Sequence, residues 1–361
     1  MDREALLYRK LKGNRVRCLV CQRLCVVASG KLGYCATRVN RHGRLYTLIY
    51  GRVSTWRAAP AEIKPLFHFH PGSRALSLGS VGCNFRCPGC QNWEIAHVQL
   101  GSEIREALER RTTSISPQEA VRWTLELGCQ GLSWTYNEPT LWLEYVLDGA
   151  KLAKSKGLYT NVVTNGFMTP QALDLLGPHL DAYRVDLKGF SKRFYRRMAH
   201  VEDFAGILEV AKRARHKWKM HVEVITNVVP QHNDDEEQLA AMASWIYREL
   251  GPDTPWHVTR FIPHQHLGHL PPTPVKILEW ARQLGLEAGL RYVYLGNVPG
   301  HPGENTYCPR CQRLLIVRRN YEILTYAIED GRCPSCREEI PIVGQYVSQD
   351  GLRGGGIQRE S

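Results

Sequence analysis

Residues 74–90 read RALSLGSVGCNFRCPGC, an apolar run typical of a buried strand followed at once by three closely spaced cysteines. The spacing Cys83-x3-Cys87-x2-Cys90 places three sulfur atoms on one tight loop, which the glycine and proline residues within it keep out of a helix. Three thiolates can hold a [4Fe–4S] cube and leave one iron open to a small molecule. Three protein ligands also suit catalytic zinc, so the triplet alone leaves both metals open.

A second group of cysteines lies near the C-terminus in the pattern Cys308-x2-Cys311-x21-Cys333-x2-Cys336. Two such pairs, separated by about twenty residues, are typical of a zinc ribbon or a rubredoxin-like site that holds zinc or iron. The apolar segments between the pairs predict a small sheet with little core of its own. We therefore expect the metal to supply folding energy and the module to serve a structural or docking role.

The third group, Cys18-x2-Cys21-x3-Cys25-x9-Cys35, is less regular. It does not match the bacterial ferredoxin run, so it predicts a second metal site without deciding which metal is bound. Zinc fits the spacing better than an iron–sulfur cluster, and both stay open. The last of the twelve cysteines, Cys129, is predicted to be a small buried apolar residue.

Strand and helix signals alternate from about residue 74 to residue 295, which is typical of βα units around a parallel sheet. Six or seven such units predict an α/β fold, a partial (β/α)6–7 TIM-like barrel short of the full eight. The predicted division is an N-terminal cysteine-rich metal-binding lobe (1–70), the barrel (71–300), a C-terminal zinc-ribbon or rubredoxin-like four-cysteine module (301–345) and a disordered tail (346–361).

Polar residues stand at the predicted carboxyl ends of the barrel strands, where enzymes of this architecture keep their chemistry. Their amide, hydroxyl and charged groups suit the ammonium and carboxylate of an amino acid, or ribose hydroxyls. We therefore expect the three-cysteine loop to lie at the barrel mouth within a ring formed by segments 136–139, 164–166, 186–188, 226–227, 260 and 296–297.

The 361 residues carry a formal net charge of +12 and are 43% hydrophobic. The basic clusters fall in predicted helices, where a solvated face is the usual explanation, so nucleic-acid binding is not favoured. An acidic protein partner or an anionic substrate would explain the charge equally well. No apolar stretch approaches a membrane span and the charged N-terminus lacks a signal-peptide core, which predicts a cytoplasmic protein with reduced cysteines.

The longer motifs around these features resemble those of a known family. The chain is similar to radical S-adenosylmethionine (SAM) enzymes, specifically to the radical SAM member of the AmmeMemoRadiSam system, in the branch related to pyruvate formate-lyase-activating enzymes. The similarity extends from about residue 17 to residue 340 and includes both flanking cysteine quartets. It is carried by KPLFHF (64–69), GCNFRCPGCQNWEI (82–95), TYNEPT (135–140), DLKGF (186–190), WHVTRF (256–261) and NTYCP (305–309).

The resemblance implies that Cys83, Cys87 and Cys90 hold a [4Fe–4S] cluster whose fourth iron chelates SAM. One electron would then cleave SAM to methionine and a 5′-deoxyadenosyl radical, which abstracts hydrogen from a substrate that the sequence does not identify. The residues implied to contact SAM are Asn137 and Glu138 at the ammonium group, Thr164 and Asn165 at the ribose or carboxylate, and the Asp-x-Lys pair Asp186 and Lys188.

One position departs from the family pattern. The residue before the third cysteine is usually aromatic and lies near the adenine in radical SAM enzymes, but here it is Gly89. Adenine stacking must then come from another residue, and we predict Trp93 as the candidate.

Two other functions stay open at this point. A glycyl-radical-enzyme activase would apply the same chemistry to a protein glycine, although the additional cysteines of activases follow their cluster motif whereas these precede it. A multi-zinc nucleic-acid-binding or scaffold protein would need no iron. The partners that the resemblance implies are an electron donor such as ferredoxin or flavodoxin, a Memo-type protein and an AMMECR-type protein.

Overall fold

The computed structural model describes residues 3–98 and 104–348. The strands, numbered along the chain, are β1 Arg3–Glu4, β2 Tyr8–Lys10, β3 Val16–Cys18, β4 Val26–Val27, β5 Arg38–Arg41, β6 Arg44–Thr47, β7 Arg52–Val53, β8 Thr55–Pro60, β9 Arg74–Gly79, β10 Thr113–Ser114, β11 Gly131–Trp134, β12 Tyr159–Thr164, β13 Ala182–Asp186, β14 His221–Val228, β15 Trp256–Arg260, β16 Val293–Gly296, β17 Thr306–Tyr307, β18 Leu314–Arg319 and β19 Glu322–Tyr326. The helices are α1 Trp93–Ala96, α2 Ile104–Arg111, α3 Pro117–Glu126, α4 Leu143–Ser155, α5 Pro170–Leu176, α6 Lys192–Met198, α7 Ala205–His216, α8 Glu236–Leu250 and α9 Val275–Glu287.

The central sheet has eight strands in the order β16-β15-β14-β13-β12-β11-β9-β8. Within this sheet, β9 and the strands from β11 to β16 pair in parallel, whereas β8 runs antiparallel to β9 at the edge. The edge strands β8 and β16 do not pair with each other in the described part of the chain, so the barrel is open. Helices connect the successive parallel strands, and the predicted partial (β/α) barrel is therefore confirmed.

Helix starts follow the predicted capping signals. At α3, Ser116 and Glu119 form a complete capping box, and Pro117 occupies the first helical position. Thr169 caps α5, and its hydroxyl also donates to the carbonyl of Leu19 at 2.7 Å. This second contact attaches the N-terminal segment to the rim of the barrel.

The N-terminal strands form two small antiparallel sheets, β1-β6-β5 and β2-β3-β4, whose buried side chains join the apolar core of the barrel. Arg38, 1% exposed, donates hydrogen bonds of 2.9 and 2.7 Å to the two carboxylate oxygens of Glu144 on α4. Removing one partner of such a buried pair typically costs about 3–5 kcal/mol. Strand β8 lies on the N-terminal side of the predicted boundary at residue 70, yet it is an edge strand of the central sheet.

The C-terminal module is a three-stranded sheet, β17-β18-β19, with a small core of its own. The sulfur atoms of Cys308 and Cys336 are 3.5 Å apart and those of Cys311 and Cys333 are 3.6 Å apart. All four lie within 4.8 Å of one another, as ligands of a single metal ion do. These four cysteines and this sheet are called the ribbon below.

Among the described residues, none of the helices combines the length and the apolar character that crossing a bilayer requires. The tail predicted at residues 346–361 lies outside the described residues from residue 349 onward.

Candidate active site

A cavity of about 560 Å³ lies at the carboxyl ends of the parallel strands. Because these ends meet at one edge of the sheet, residues far apart in sequence converge there. The cavity is lined by the cysteine loop, the strand ends, the segment just before β9 and the turn between β18 and β19. Of the predicted site residues, Cys83, Cys87, Cys90, Asn137, Glu138, Asn165, Asp186 and Lys188 line it, whereas Thr164 and Trp93 do not.

The backbone of the cysteine loop is fixed by its neighbours. Asn137 donates from Nδ2 to the carbonyl of Gly82 at 3.0 Å and accepts from the amide of Ser80 at 2.9 Å. Gly82 has a φ of 88°, and a Cβ atom there would lie 2.4 Å from Cγ2 of Thr37, so only glycine fits. Asn137 therefore positions the loop, and its amide is already engaged in doing so.

The spacing of the three loop sulfur atoms suits a cluster better than a single ion. Within the described residues, the ribbon is the group of ligand atoms gathered closely enough for one ion, and the three loop cysteines do not form such a group. A cube spreads its thiolates over three iron atoms, whereas one zinc gathers them around one centre. Burial raises the pKa of Cys83 well above its usual range and that of Cys87 to about 11, and Lys188 opposes the shift at Cys87. Metal binding would deprotonate the three thiols, and the nearby ammonium of Lys188 would stabilise the negative charge that results. The three residues therefore fit a [4Fe–4S] cluster.

Glu138 is a buried centre of hydrogen bonds and not an exposed carboxylate. It is 2% exposed; its Oε1 accepts from the hydroxyl of Thr164 at 2.7 Å, and its Oε2 accepts from the amide of Asn165 at 2.8 Å. Burial raises the pKa of Glu138, and the hydrogen bonds oppose that shift. Oε2 accepts this one bond within the described residues, which leaves room for an N–H of a bound ammonium group. Thr164 thus acts on Glu138 rather than on the cavity.

Asp186 and Lys188 form an ion pair on the cavity wall, with 3.0 Å between Nζ and Oδ2. The other carboxylate oxygen of Asp186 pairs with Arg184. Although burial opposes both effects, the neighbouring cations lower the pKa of Asp186 and the carboxylate raises that of Lys188. Because one carboxylate serves two cations, this wall keeps a net positive charge that can attract a carboxylate ligand.

The space beside Gly89 is filled from another part of the chain. A Cβ atom on Gly89 would lie 2.9 Å from Cδ1 of Leu267, which lines the cavity from the segment after β15. That segment docks on the cysteine loop, because the amide of His266 donates to the carbonyl of Pro88 at 3.1 Å. Trp93 is 40% exposed and lies outside the cavity, so the geometry gives no support to a stacking role for it.

A buried polar network lies behind the cavity. Glu223 accepts from the amides of Phe67 (3.0 Å) and His68 (2.8 Å) and from Nε2 of His221 (2.8 Å) and of His257 (2.6 Å). Although burial raises its pKa, these hydrogen bonds hold the pKa of Glu223 well below its usual range. His257 also lines the cavity, so a charged carboxylate fixes one wall of the site from behind.

Comparisons with known proteins agree with this geometry. The sequence profile described as the radical SAM superfamily matches residues 78–243, from the end of β9 into α8. The chain is also 41% identical over 343 residues to an uncharacterized protein of Methanocaldococcus jannaschii. The alignment covers 94% of this chain and 99% of that protein. The chain belongs to the radical SAM superfamily.

Activating enzymes are among the relatives of this radical SAM enzyme. It is 26% identical over 184 residues to the pyruvate formate-lyase 1-activating enzyme of Escherichia coli K12, covering 50% of this chain and 71% of that enzyme. It is 24% identical over 234 residues to a proposed glycyl-radical enzyme activating enzyme of M. jannaschii. The alignment covers 63% of this chain and 80% of that protein. The chain is therefore an activase-like radical SAM enzyme, and the family implies SAM and a [4Fe–4S] cluster as its cofactors.

The histidines behind the cavity predict acid sensitivity of this radical SAM enzyme. Burial lowers the pKa of His68 to about 3 and also lowers that of His257. Below a pH of about 6.5 the unfolded chain binds protons that these folded imidazoles do not, so the free energy of unfolding falls as the pH falls. Well below that pH, His68 contributes a slope of about 1.4 kcal/mol per pH unit. Urea unfolding of wild type and His68→Gln between pH 7.5 and 5 measures this slope.

In the variant His68→Gln, this contribution to the slope is absent. The plot of the free energy of unfolding against pH should therefore be flatter than that of wild type. Parallel curves for the two proteins would show that His68 is protonated equally in the folded and unfolded states, contrary to the expectation.

Proposed function

We propose that this radical SAM enzyme abstracts hydrogen from a small molecule that carries an anionic group. Lys64 carries the proposal: it is 5% exposed, it lines the cavity, and no carboxylate of the described residues lies within 4.0 Å of its ammonium group. The ring of Tyr136 stabilises the ammonium group, and its centre is 4.9 Å from Nζ. A buried ammonium without a counter-charge costs several kcal/mol, and a substrate carboxylate or phosphate would offset that cost.

A second cation on the same cavity supports this substrate class. Arg318 of the ribbon is 3% exposed and lies 4.2 Å over the ring of Phe67. Its terminal nitrogens are fixed by hydrogen bonds to Thr306 (2.7 Å) and to the carbonyl of Phe67 (2.9 Å), but Nε has no hydrogen-bond partner among the described atoms. A guanidinium held rigidly with a free donor suits recognition of carboxylate or phosphate.

The residues around the cavity have separable roles in this proposal. When bound, the cluster supplies the electron that cleaves SAM to methionine and a 5′-deoxyadenosyl radical. Glu138 accepts a hydrogen bond from the ammonium of SAM, and Lys188 faces its carboxylate. Leu267 covers an apolar part of the ligand beside Gly89. The ribbon turn closes one side and excludes water from the reacting atoms.

Activation of a glycyl-radical enzyme is the second candidate, and the names of the two activating-enzyme relatives favour it. Its test is a backbone radical appearing on a partner protein. An electron donor such as ferredoxin or flavodoxin belongs to either proposal, because both need one electron per SAM cleaved. Memo-type and AMMECR-type partners, and a cytoplasmic location that keeps the thiols reduced, also belong to the proposal.

The ribbon gives a testable consequence about metal content. We propose that it binds zinc, since its four sulfur atoms are gathered around one point. The variant Cys308→Ser should lose about one equivalent of zinc and expose the ribbon to limited proteolysis, because the module has a small core and depends on the metal for folding. Metal analysis of the purified chain, with Cys129→Ser as the control, measures this. Iron in place of zinc would favour the rubredoxin-like alternative.

The deciding experiment for the function is an anaerobic incubation of the reduced, iron-loaded chain with SAM and fractions of anionic metabolites. We expect 5′-deoxyadenosine to form slowly with SAM alone and faster when the substrate is present. Deuterium transfer into 5′-deoxyadenosine then identifies the abstracted hydrogen. If acceleration comes only from neutral or cationic fractions, the proposed substrate class is wrong.

A further inference from the structure

The N-terminal quartet surrounds a small void next to the active site. Cys18, Cys21 and Cys35 are buried and Cys25 is half-buried. All four line a void in which the centre of a water-sized sphere can move through about 10 Å³. Four thiolates on one zinc, each at about 2.3 Å from the metal, would leave no such space between them.

The ribbon of the same chain provides a direct comparison. Its four sulfur atoms lie within 4.8 Å of one another, and within the described residues the N-terminal quartet is not a group gathered closely enough for one ion. The two quartets therefore differ in spacing, although each consists of four cysteines. The wider arrangement is the one that a cluster of several iron atoms requires.

Two hydrogen-bond donors without partners belong to residues that line the same void. Arg38 and Asn84 both line it and are both fully buried, and neither Nε of Arg38 nor Nδ2 of Asn84 has a hydrogen-bond partner in the described structure. Leaving a buried donor unsatisfied costs about 1–3 kcal/mol. Thiolate and sulfide sulfur atoms of an iron–sulfur cluster accept such hydrogen bonds, which also tune its reduction potential.

The N-terminal quartet contacts the loop that holds the other three cysteines. A Cβ atom on Gly82 would lie 2.9 Å from the carbonyl oxygen of Cys35. Asn84 directly follows Cys83 in the chain, and it lines the N-terminal void. Its Oδ1 accepts from Nδ2 of Asn165 at 2.7 Å, and that same nitrogen lies 3.9 Å from the sulfur of Cys83. One short hydrogen-bonded path therefore connects the two thiol sites.

We propose that Cys18, Cys21, Cys25 and Cys35 hold a second, fully ligated [4Fe–4S] cluster that delivers electrons to the three-cysteine loop. The delivery role rests on the proposed function, whereas the metal assignment does not. A low-potential one-electron donor, such as a reduced flavodoxin, is oxidised by one electron. That electron reduces the N-terminal site, moves on to the loop site and leaves the N-terminal site oxidised again. No bond is made or broken and no proton moves.

The metal assignment is tested on the full chain, reconstituted anaerobically with iron and sulfide. The triple variant Cys83→Ala/Cys87→Ala/Cys90→Ala should keep about four irons and four sulfides of the roughly eight of each in wild type. After reduction with dithionite it should give an electron paramagnetic resonance signal that SAM does not alter. Cys129→Ser serves as the control and should keep all eight. Zinc without iron in the triple variant would overturn the proposal.

The delivery role is tested with the variant Cys21→Ser/Cys25→Ser, which should keep the loop cluster and a signal that SAM alters. With dithionite, which reaches the loop directly, it should cleave SAM within about threefold of the wild-type rate. With reduced flavodoxin as the donor, the rate should fall at least about tenfold. Equal losses with both donors would overturn the delivery role.

Two further results keep the outcomes distinct. If the double variant fails to fold, the flavodoxin rate is measured on Asn84→Leu, which removes the connecting side chain and keeps every cysteine; an unchanged rate there would contradict the path. Wild type that binds eight irons and never cleaves SAM would refute the proposed function and leave the second cluster in place.

Discussion

Replacing Cys87 by alanine should reduce the formation of 5′-deoxyadenosine from SAM to the level seen without protein. The loop then offers two thiolates instead of three, so one of the iron atoms that the loop ligates loses its protein ligand. The iron content should fall by about four atoms per chain. Liquid chromatography of the reduced reaction mixture and iron analysis of the same sample measure both effects.

Cys129→Ala is the matched control for this experiment. Cys129 is also a buried cysteine, at 4% exposed, but it lies outside the three groups of clustered cysteines. It should keep the iron content and the rate of SAM cleavage. A Cys87→Ala protein that still produced 5′-deoxyadenosine at the wild-type rate would contradict a site built on three thiolates.

Lys64→Met should make the folded chain more stable and at the same time impair anion binding. Burial, together with Arg184 and Arg57, lowers the pKa of Lys64 from 10.5 to about 8. That difference corresponds to a destabilisation of about 3 kcal/mol at pH 7, which an uncharged side chain of similar length removes. Urea unfolding of the two proteins at pH 7 measures the gain.

The pH dependence of this gain has a definite sign. Between pH 8 and 10.5 the folded Lys64 has lost its proton while the unfolded chain still holds one, so wild type becomes more stable as the pH rises. The methionine variant lacks this contribution. Its advantage should therefore be full below pH 8 and should disappear by about pH 10.5.

Lys156→Met is the control, since Lys156 is exposed on the surface and its replacement should change stability by at most about 0.5 kcal/mol. Inorganic phosphate and acetate serve as probes of anion binding. Both should raise the melting temperature of wild type more than that of Lys64→Met. A destabilised Lys64→Met protein, or equal protection of the two proteins by these anions, would refute the interpretation of Lys64 as a substrate-binding cation.

Local patterns predicted most of the fold and the part of the site closest to the cysteines. The alternation of strand and helix patterns predicted the open barrel, because both patterns of each βα unit lie within about thirty residues of one another. Glu138 and Asp186 were predicted because both lie near the carboxyl ends of strands and within segments that resemble the family. Whether such residues face a ligand or another side chain depends on contacts across the barrel, and Thr164, which binds Glu138, shows that a strand-end position alone does not decide this.

The residues that the sequence missed are those brought to the cavity by long connections. Leu267 fills the space beside Gly89 from a segment nearly 180 residues later in the chain, since 267 − 89 = 178. Arg318 reaches the cavity from a module whose sequence indicates only a metal site. For Lys64 the one available signal was its place in the KPLFHF segment, and its lack of a counter-charge is visible only when every neighbouring side chain is placed.

The contribution of the ribbon to the cavity has a consequence for biosynthesis. Arg318 and Tyr321 form part of the chamber wall, and they leave the ribosome after all the strands of the barrel. A nascent polypeptide that still lacks them has an incomplete chamber, through which solvent can quench a reactive intermediate. The chamber is therefore completed only after the ribbon has been synthesised and has folded against the barrel.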